Sequence, residues 1–527
     1  MASFRPSDHI DSEPAPAELP KLGAVGFARF LWRQLTSMRT ALVLLLLLAL
    51  AAVPGSLVPQ RSSDPNGVLQ YQARDPEGFR ILDSLGIFST FSSPWFSAIY
   101  LLLFISLIGC VIPRSKHHFD ALRARPPKTP ARLSRLVGYT SVENPVDAET
   151  AVVTARKVLK GQGYRVERYG DSVSAERGYL RETGNLVFHT ALIGVLAGVA
   201  IGGGFGYNGQ RLLIEGEPFA NVLADYDSFY PGPWVDSDTA LEPFGLRLDA
   251  FDSAYEFDQN AGTWHPTDFE ATMGVRERGG EWRAESLKVN SPLEVGGTQV
   301  YLLANGYAPV VTVRDPDGEV VFQQAVPFLA TDGNLTSGGV IKVPDGLSDQ
   351  VGMRGFFYPD AIALDSGALT SFSPNITENA VLTLLVYRGD LGLADGSGAN
   401  VYSLDTENME EIAGREDALA LRIGDTVDLP DGMGTISLDG VANYVGLDIH
   451  HDPAQAWVLG FALTAVGGLL TSLFIPRRRM WIKVLPDGRI EYAGLARGED
   501  PGLAAAVADL ARAHTDALRA PRTTNIG

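Results

Sequence analysis

Eight histidines and one cysteine carry most of the side-chain chemistry this sequence offers. An imidazole can ligate a metal or move a proton, and a thiol can exchange with a disulfide or ligate. His189 is the only histidine inside a long apolar run, Leu186 to Tyr207. A polar ring in hydrocarbon costs free energy unless it is paired or ligated, so His189 is a functional candidate by default; its bland alternative is a hydrogen bond to a neighbouring helix. His450 and His451, followed by Asp452 and Pro453, stand just before another apolar run. Adjacent imidazoles there can receive a metal or haem, or simply end a solvated strand. Cys110 sits within an apolar run, where a thiol is usually a small buried hydrophobe. With a single cysteine, no intrachain disulfide or CxxC relay is possible, and a redox role needs a cysteine on another protein. His9, His117, His118, His265 and His514 read as surface residues.

Other chemistry is excluded by absence. No GxxxxGK[ST], HExxH, GxSxG or CxxCH motif occurs, so nothing marks an ATPase, a zinc protease, a serine hydrolase or a c-type cytochrome. No self-contained active site is visible.

The elements that must position these residues are dominated by four apolar runs: Ala41 to Val58, Trp95 to Pro113, Leu186 to Tyr207 and Ala456 to Pro476. None contains Lys, Arg, Asp or Glu, and each approaches the roughly 17 to 25 residues a bilayer-spanning helix needs. Lys and Arg collect in cytoplasmic loops. Arg29, Arg33 and Arg39 precede the first run, Arg114 to Arg135 follows the second, and Arg477 to Lys483 follows the fourth. The expected topology therefore has both termini cytoplasmic and residues 208–455 outside. That outer region carries 12 Lys and Arg against 40 Asp and Glu, a balance of −28. The chain as a whole is at −19, so the remainder is basic by 9 charges, and the acidic region is a poor partner for nucleic acid. Ala49-Leu50-Ala51 resembles a signal-peptide cleavage site, but the long first run and the polar stretch before it favour an uncleaved helix.

Between the spans, residues 1–40 read as a disordered tail followed by an interfacial helix at Phe27 to Met38, and 59–94 as an outer loop with a short helix at Phe79 to Leu85. Residues 114–185 read as a basic, proline-broken linker to Arg135 and then a small α+β module. Its helix is Ala148 to Lys160, and its hairpin pairs Tyr164 to Arg168 with Val173 to Tyr179. The outer region shows strand patterns at Phe244–Phe251, Trp282–Val289, Gln299–Leu303, Val310–Arg314, Val320–Ala325, Val381–Tyr387 and Thr435–Ile449. The expected fold class is a polytopic α-helical membrane protein with a large extracytoplasmic β-rich domain, a sandwich or a distorted barrel. Residues 477–527 read as a cytoplasmic tail with a surface helix at Pro501 to Ala520. Gly194, Gly198 and Gly202 on the third span, and Gly460, Thr464 and Gly468 on the fourth, form small-residue stripes that invite close helix packing.

Several segments, in order along nearly the whole chain, carry a resemblance: SMRTALVLLLLLALAAVPGSLVPQ, SPWFSAIYLLLFISLIGCVIPR, AERGYLRETGNLVFHTALIGVLAGVAIGG with IEGE, LKVNSPLEVGGTQVYLLANGYAPVVTVRDPDG, and HHDPAQAWVLGFALTAVGGLLTSLF. Together with four spans and a large domain between the third and fourth, these resemble the ResB family, the membrane component that works with a CcsA/ResC-type partner in System II cytochrome c maturation.

The resemblance implies a subunit of a haem lyase complex in the plasma membrane that handles haem b as cargo and presents it to a CxxCH apocytochrome c. His189 matches the family's third-span histidine, regarded as an axial ligand to haem iron; the second ligand would come from the partner. His450 and His451 have no assigned role in that scheme. A thioredoxin-like reductant is a further implied partner, since attachment needs reduced thiols. Two other classes remain open: an apocytochrome assembly scaffold that binds no haem, and a thiol-redox subunit using Cys110.

Overall fold

The computed structural model describes residues 23–136, 138–143, 146–236, 240–392 and 404–519. Most of the expected N-terminal tail, with His9, and the last eight positions lie outside the described residues. The chain divides into two compact units, one of Met1–Val199 with Gln455–Gly527 and the other of Ala200–Ala454.

The first unit opens with α1 (Ala24–Leu35), whose Phe27, Phe30, Leu31 and Trp32 are exposed. Ser37 caps α2 (Met38–Leu57), accepting a hydrogen bond from the Thr40 amide at 3.2 Å. Asp64 and Asp75 cap two short helices, α3 (Pro65–Arg74) and α4 (Pro76–Ser84), each with proline at its first position. Gln60 ties this loop to the following segment, donating to the carbonyls of Val58 and Ile87 and accepting from the Thr90 amide.

Pro94 starts α5 (Pro94–Arg123), capped by Ser93. Its 30 residues reach about 45 Å, well beyond a hydrocarbon core of roughly 30 Å. Residues 114–123, expected as a linker, thus continue the helix as a basic extension. Pro113 lies inside it. Alongside α2 and α5, α7 (Leu180–Phe205) and α8 (Gln455–Phe474) are long and apolar enough to cross a membrane, making four. Leu44 is the only buried residue of α2, so its apolar surface faces outward from the protein, as lipid-facing helices require.

The module between the second and third spans is larger than its local sequence suggests. Thr140–Glu143, Arg489–Ala496, Arg478–Val484, Ser172–Arg177 and Arg165–Tyr169 form one antiparallel five-stranded sheet in that order. The helices α6 (Ala148–Gly161) and α9 (Leu503–Arg519) share its core, with Val152, Leu159, Val173, Ile482, Tyr492, Val507 and Leu510 all at or below 1% exposure. The expected C-terminal tail is therefore two central strands and a packed helix. Pairing partners some 300 residues apart leave no local signal, and three consecutive arginines mask the alternation in Arg478–Val484. Gly178 turns the chain from this sheet into α7 at φ +93, where a Cβ would collide with the backbone of Pro476 and Arg477, an approach that only glycine allows.

The second unit is a set of open antiparallel sheets of seven, six, four and two strands, none closed into a barrel. Two strands of 17 residues, Thr298–Arg314 and Thr435–His451, pair along their length in the seven-stranded sheet. The first was expected as two strands, Gln299–Leu303 and Val310–Arg314. The segment between them instead continues the ladder past a bulge between Leu302 and Ala304, and Gly306 is required opposite Tyr444: a Cβ would meet the Tyr444 ring at 2.6 Å. Two apolar clusters fill this unit, one centred on Val311, Ile341, Met353, Leu382 and Ile436, the other on Leu246, Met273, Leu287, Val300 and Leu447.

Candidate functional site

His189 lies in the first half of α7. Its Nδ1 is 2.8 Å from the backbone oxygen of Asn185, one turn earlier. A carbonyl only accepts, so Nδ1 carries a proton, and in the neutral ring the lone pair is then on Nε2. This is the tautomer a metal-ligating imidazole uses, with the remote nitrogen fixed by a backbone oxygen. The Phe188 ring meets the imidazole edge-on at 5.0 Å, limiting its rotation. The residue is half-buried. Among the described residues no group of three or more His, Cys, Asp or Glu could hold a metal ion.

Helix packing sets where this ring stands. A Cβ on Gly184 would lie 2.7 Å from the Gly468 oxygen, and one on Gly468 would lie 2.7 Å from the Phe188 amide nitrogen. Gly198 faces the Val458 side chain, and Gly194 sits against the Phe461 ring. Gly194 and Gly198 of the third-span stripe thus pack on α8, whereas Gly202 faces Asp452, which precedes it. On α8 only Gly468 of the expected stripe takes part: Gly460 faces open space, and Phe461 and Val458 supply the knobs.

The remaining sequence candidates fall elsewhere. Cys110 on α5 is partly buried and its Sγ donates to the Thr36 oxygen at 3.0 Å, a packing arrangement that occupies the thiol. His450 and His451 end the strand Thr435–His451, opposite Asn208 and Tyr207. Successive strand residues face opposite sides of a sheet, so the two rings do not converge on one ion. His451 stacks on Tyr207 with centroids 5.2 Å apart, and its Nδ1 donates to the Gly297 oxygen at 2.9 Å. Asp448 shares the face of His450, and burial pushes its carboxyl above the usual range. His265 is exposed, with Nε2 3.2 Å from Thr263 Oγ1.

Two histidines expected at the surface are buried. His118, on the extension of α5, is 8% exposed, with Nε2 2.9 Å from Thr183 Oγ1. His514 on α9 is fully buried between the Tyr492 hydroxyl at 2.7 Å and the Ala151 oxygen at 3.0 Å. Burial pushes its pKa down, so it is neutral at physiological pH. Near His118 lies a charge network that sequence reasoning missed. Buried Arg477 pairs with Glu176 and Glu182, Arg479 with Glu176, and Arg497 with Glu182. Burial opposes ionisation of Glu176, but hydrogen bonds from Tyr179 and Arg479 and the charges of Arg479 and Arg477 outweigh it and hold its pKa below the ordinary value. The only sequence signal was the excess of arginine after the fourth span, which reads equally as a topology marker.

A family model described as the ResB-like family matches residues 38–508. Among curated relatives, a "Cytochrome c biogenesis protein CcsB" from Synechococcus sp. (strain RCC307) is 28% identical over 88% of this chain and 91% of its own length. One from Synechococcus sp. (strain CC9311) is 25% identical over 90% of this chain and 96% of its own. The protein of the same name from Thermosynechococcus vestitus is 26% identical over 52% of this chain, which spans 60% of that relative's length.

Proposed function

Since the chain belongs to the ResB-like family, we infer that it serves cytochrome c biogenesis as a membrane protein, and we propose that its part in that process is to hold haem for export. In this reading the four spans lie in the plasma membrane with both termini cytoplasmic, and the acidic second unit lies outside. Haem is cargo, held at one axial position by His189 and at the other by an imidazole of a CcsA/ResC-type partner. It is then delivered to the thiols of a CxxCH apocytochrome c that a separate reductant keeps reduced.

The observation that carries this reading is the Nδ1 to Asn185 hydrogen bond. In the neutral ring it leaves the lone pair on Nε2, at the one histidine within an apolar span. Haem iron accepts such a ligand readily, and two axial imidazoles suit it in both oxidation states. The residues fit one axial ligand: a half-buried ring held by the Asn185 carbonyl, the only histidine within an apolar span.

The test is to purify the chain with its CcsA-type partner and record absorption spectra for wild type and His189→Ala. The expected result is loss of the bis-imidazole spectrum and of cytochrome c maturation, both restored by added imidazole. Unchanged haem content and maturation in His189→Ala would overturn the ligand assignment and favour a scaffold that binds apocytochrome without touching haem.

A further inference from the structure

A cavity of about 830 Å³ opens where α5, α7 and the strands Arg478–Val484 and Arg489–Ala496 meet, all within the first unit. This volume is typical of a small-molecule site, roughly 300–1,000 Å³. Arg114, Arg181, Arg477, Arg479 and Arg497 line it, with Glu182 as the one lining carboxylate.

The charges do not balance. Glu176 and Glu182 are each shared by two guanidinium groups, from Arg477, Arg479 and Arg497. Among the described residues Arg114 and Arg181 form no ion pair within 4 Å; their guanidinium groups donate to Met38 Sδ and the Arg497 oxygen, and Arg181 also acts at longer range on Asp500. Five guanidinium groups therefore outnumber the carboxylates of Glu176 and Glu182 around this cavity, and although Arg114 and Arg497 are solvent-exposed the lining is net positive and favours an anion. A second observation points the same way. His118 lines the cavity, is 8% exposed, and its Nδ1 has no hydrogen-bond partner; Glu182 is 3.6 Å from it.

The position links this cavity to His189. Asn185, whose oxygen orients the imidazole, is also part of the cavity wall. Arg181, Asn185 and His189 are four apart and share one face of α7, so the guanidinium starts two turns, roughly 12 Å, from the ligand. An amphiphile with a wide apolar plate and carboxylates along one edge suits that face: carboxylates among the guanidiniums, plate toward the apolar span. Guanidinium holds carboxylate through paired, charge-assisted hydrogen bonds.

We propose that this arginine-lined cavity binds the two carboxylates of the porphyrin, through Arg114 and Arg181, and so loads haem onto His189 from the basic side of the membrane. This rests on the haem-ligand reading above. The network of Glu176 and Glu182 keeps Arg477, Arg479 and Arg497 in place, while Arg114 and Arg181, without a carboxylate within 4 Å, engage the cargo.

The complex with the CcsA-type partner is titrated in detergent with ferric protoporphyrin IX and, separately, with its dimethyl ester, following the Soret band. Wild type is expected to bind the free acid about tenfold tighter than the ester. Arg114→Gln/Arg181→Gln is expected to lose that preference, weakening the acid to the affinity of the ester. Equal affinity of wild type for acid and ester, or a preference that survives in the double variant, overturns the assignment of the cavity. The first of these comparisons uses no variant, so a folding defect cannot mask it. His189→Ala in the same titration separates the two readings. If it abolishes the bis-imidazole spectrum while acid and ester bind wild type alike, the ligand stands and the cavity proposal falls; if its spectrum is unchanged, the ligand reading fails. Phosphatidylglycerol retained by wild type and lost from the double variant in native mass spectrometry, with the acid preference intact, would assign the cavity to a lipid phosphate and likewise overturn the proposal.

Discussion

Substituting Gly468 by alanine probes whether the contact between α7 and α8 positions His189. A Cβ at 468 would stand 2.7 Å from the Phe188 amide nitrogen, 2.8 Å from the Gly184 oxygen and 3.1 Å from Phe188 Cα. All three are backbone atoms and cannot swing aside. Ordinary contact begins near 3.4 Å, so the helices must separate by about 0.7 Å at this point. Overpacking of this kind costs about 1–3 kcal/mol. The displaced residue is Phe188, whose ring borders the imidazole at 5.0 Å. A binding constellation tolerates roughly 0.5 Å before it weakens, so the opening exceeds the tolerance. Gly468→Ala should therefore lower the thermal midpoint of the detergent-solubilised protein and lower its haem occupancy. Gly460→Ala is the matched control: it meets nothing within 4 Å and should leave both unchanged. Melting followed by size-exclusion chromatography, with haem absorbance on the same samples, measures both. Equal behaviour of the two variants, or a larger effect at Gly460, would refute the packing argument.

Two further outcomes follow from the buried polar groups of the module. Burial lowers the pKa of His514 from its ordinary 6.5, so the unfolded chain binds the proton more readily than the folded one. Stability is then full above about pH 6.5 and declines as pH falls toward the folded value; His514→Gln, which cannot titrate, should show a flatter acid limb in the thermal midpoint, and identical limbs would exclude His514 as the cause. Glu176→Gln removes the carboxylate that pairs with buried Arg477 and with Arg479. Because Arg477 keeps Glu182, the loss should be about 2–3 kcal/mol, less than for stripping a buried pair bare; an unmoved unfolding midpoint would contradict the network.

The sequence by itself determined the four spans, because a helix crossing hydrocarbon must be uniformly apolar over a fixed length, and that property is local. It also singled out His189, since an ionisable ring in such a run stands out against its neighbours whatever the fold. Many of the strands of the second unit were readable from alternation and turns, as at Val320–Ala325 and Val381–Arg388. Where a glycine serves close packing inside a strand, as at Gly306 against Tyr444, the reading split one strand into two.

Tertiary structure alone decided the rest. Whether Gly460 or Gly468 meets α7 depends on the rotation of one helix against another, and both read alike in the sequence. His118 and His514 sit among residues whose local pattern says surface; a hydroxyl and a carbonyl from distant segments make their burial tolerable. Arg477 and Arg479 looked like markers of membrane orientation, and they become part of a network and a cavity only because their strand pairs with Ser172–Arg177 across 300 residues. Hydrophobicity is summed along the chain and can be read there, whereas charge compensation and close packing belong to pairs of residues, and folding chooses the pairs.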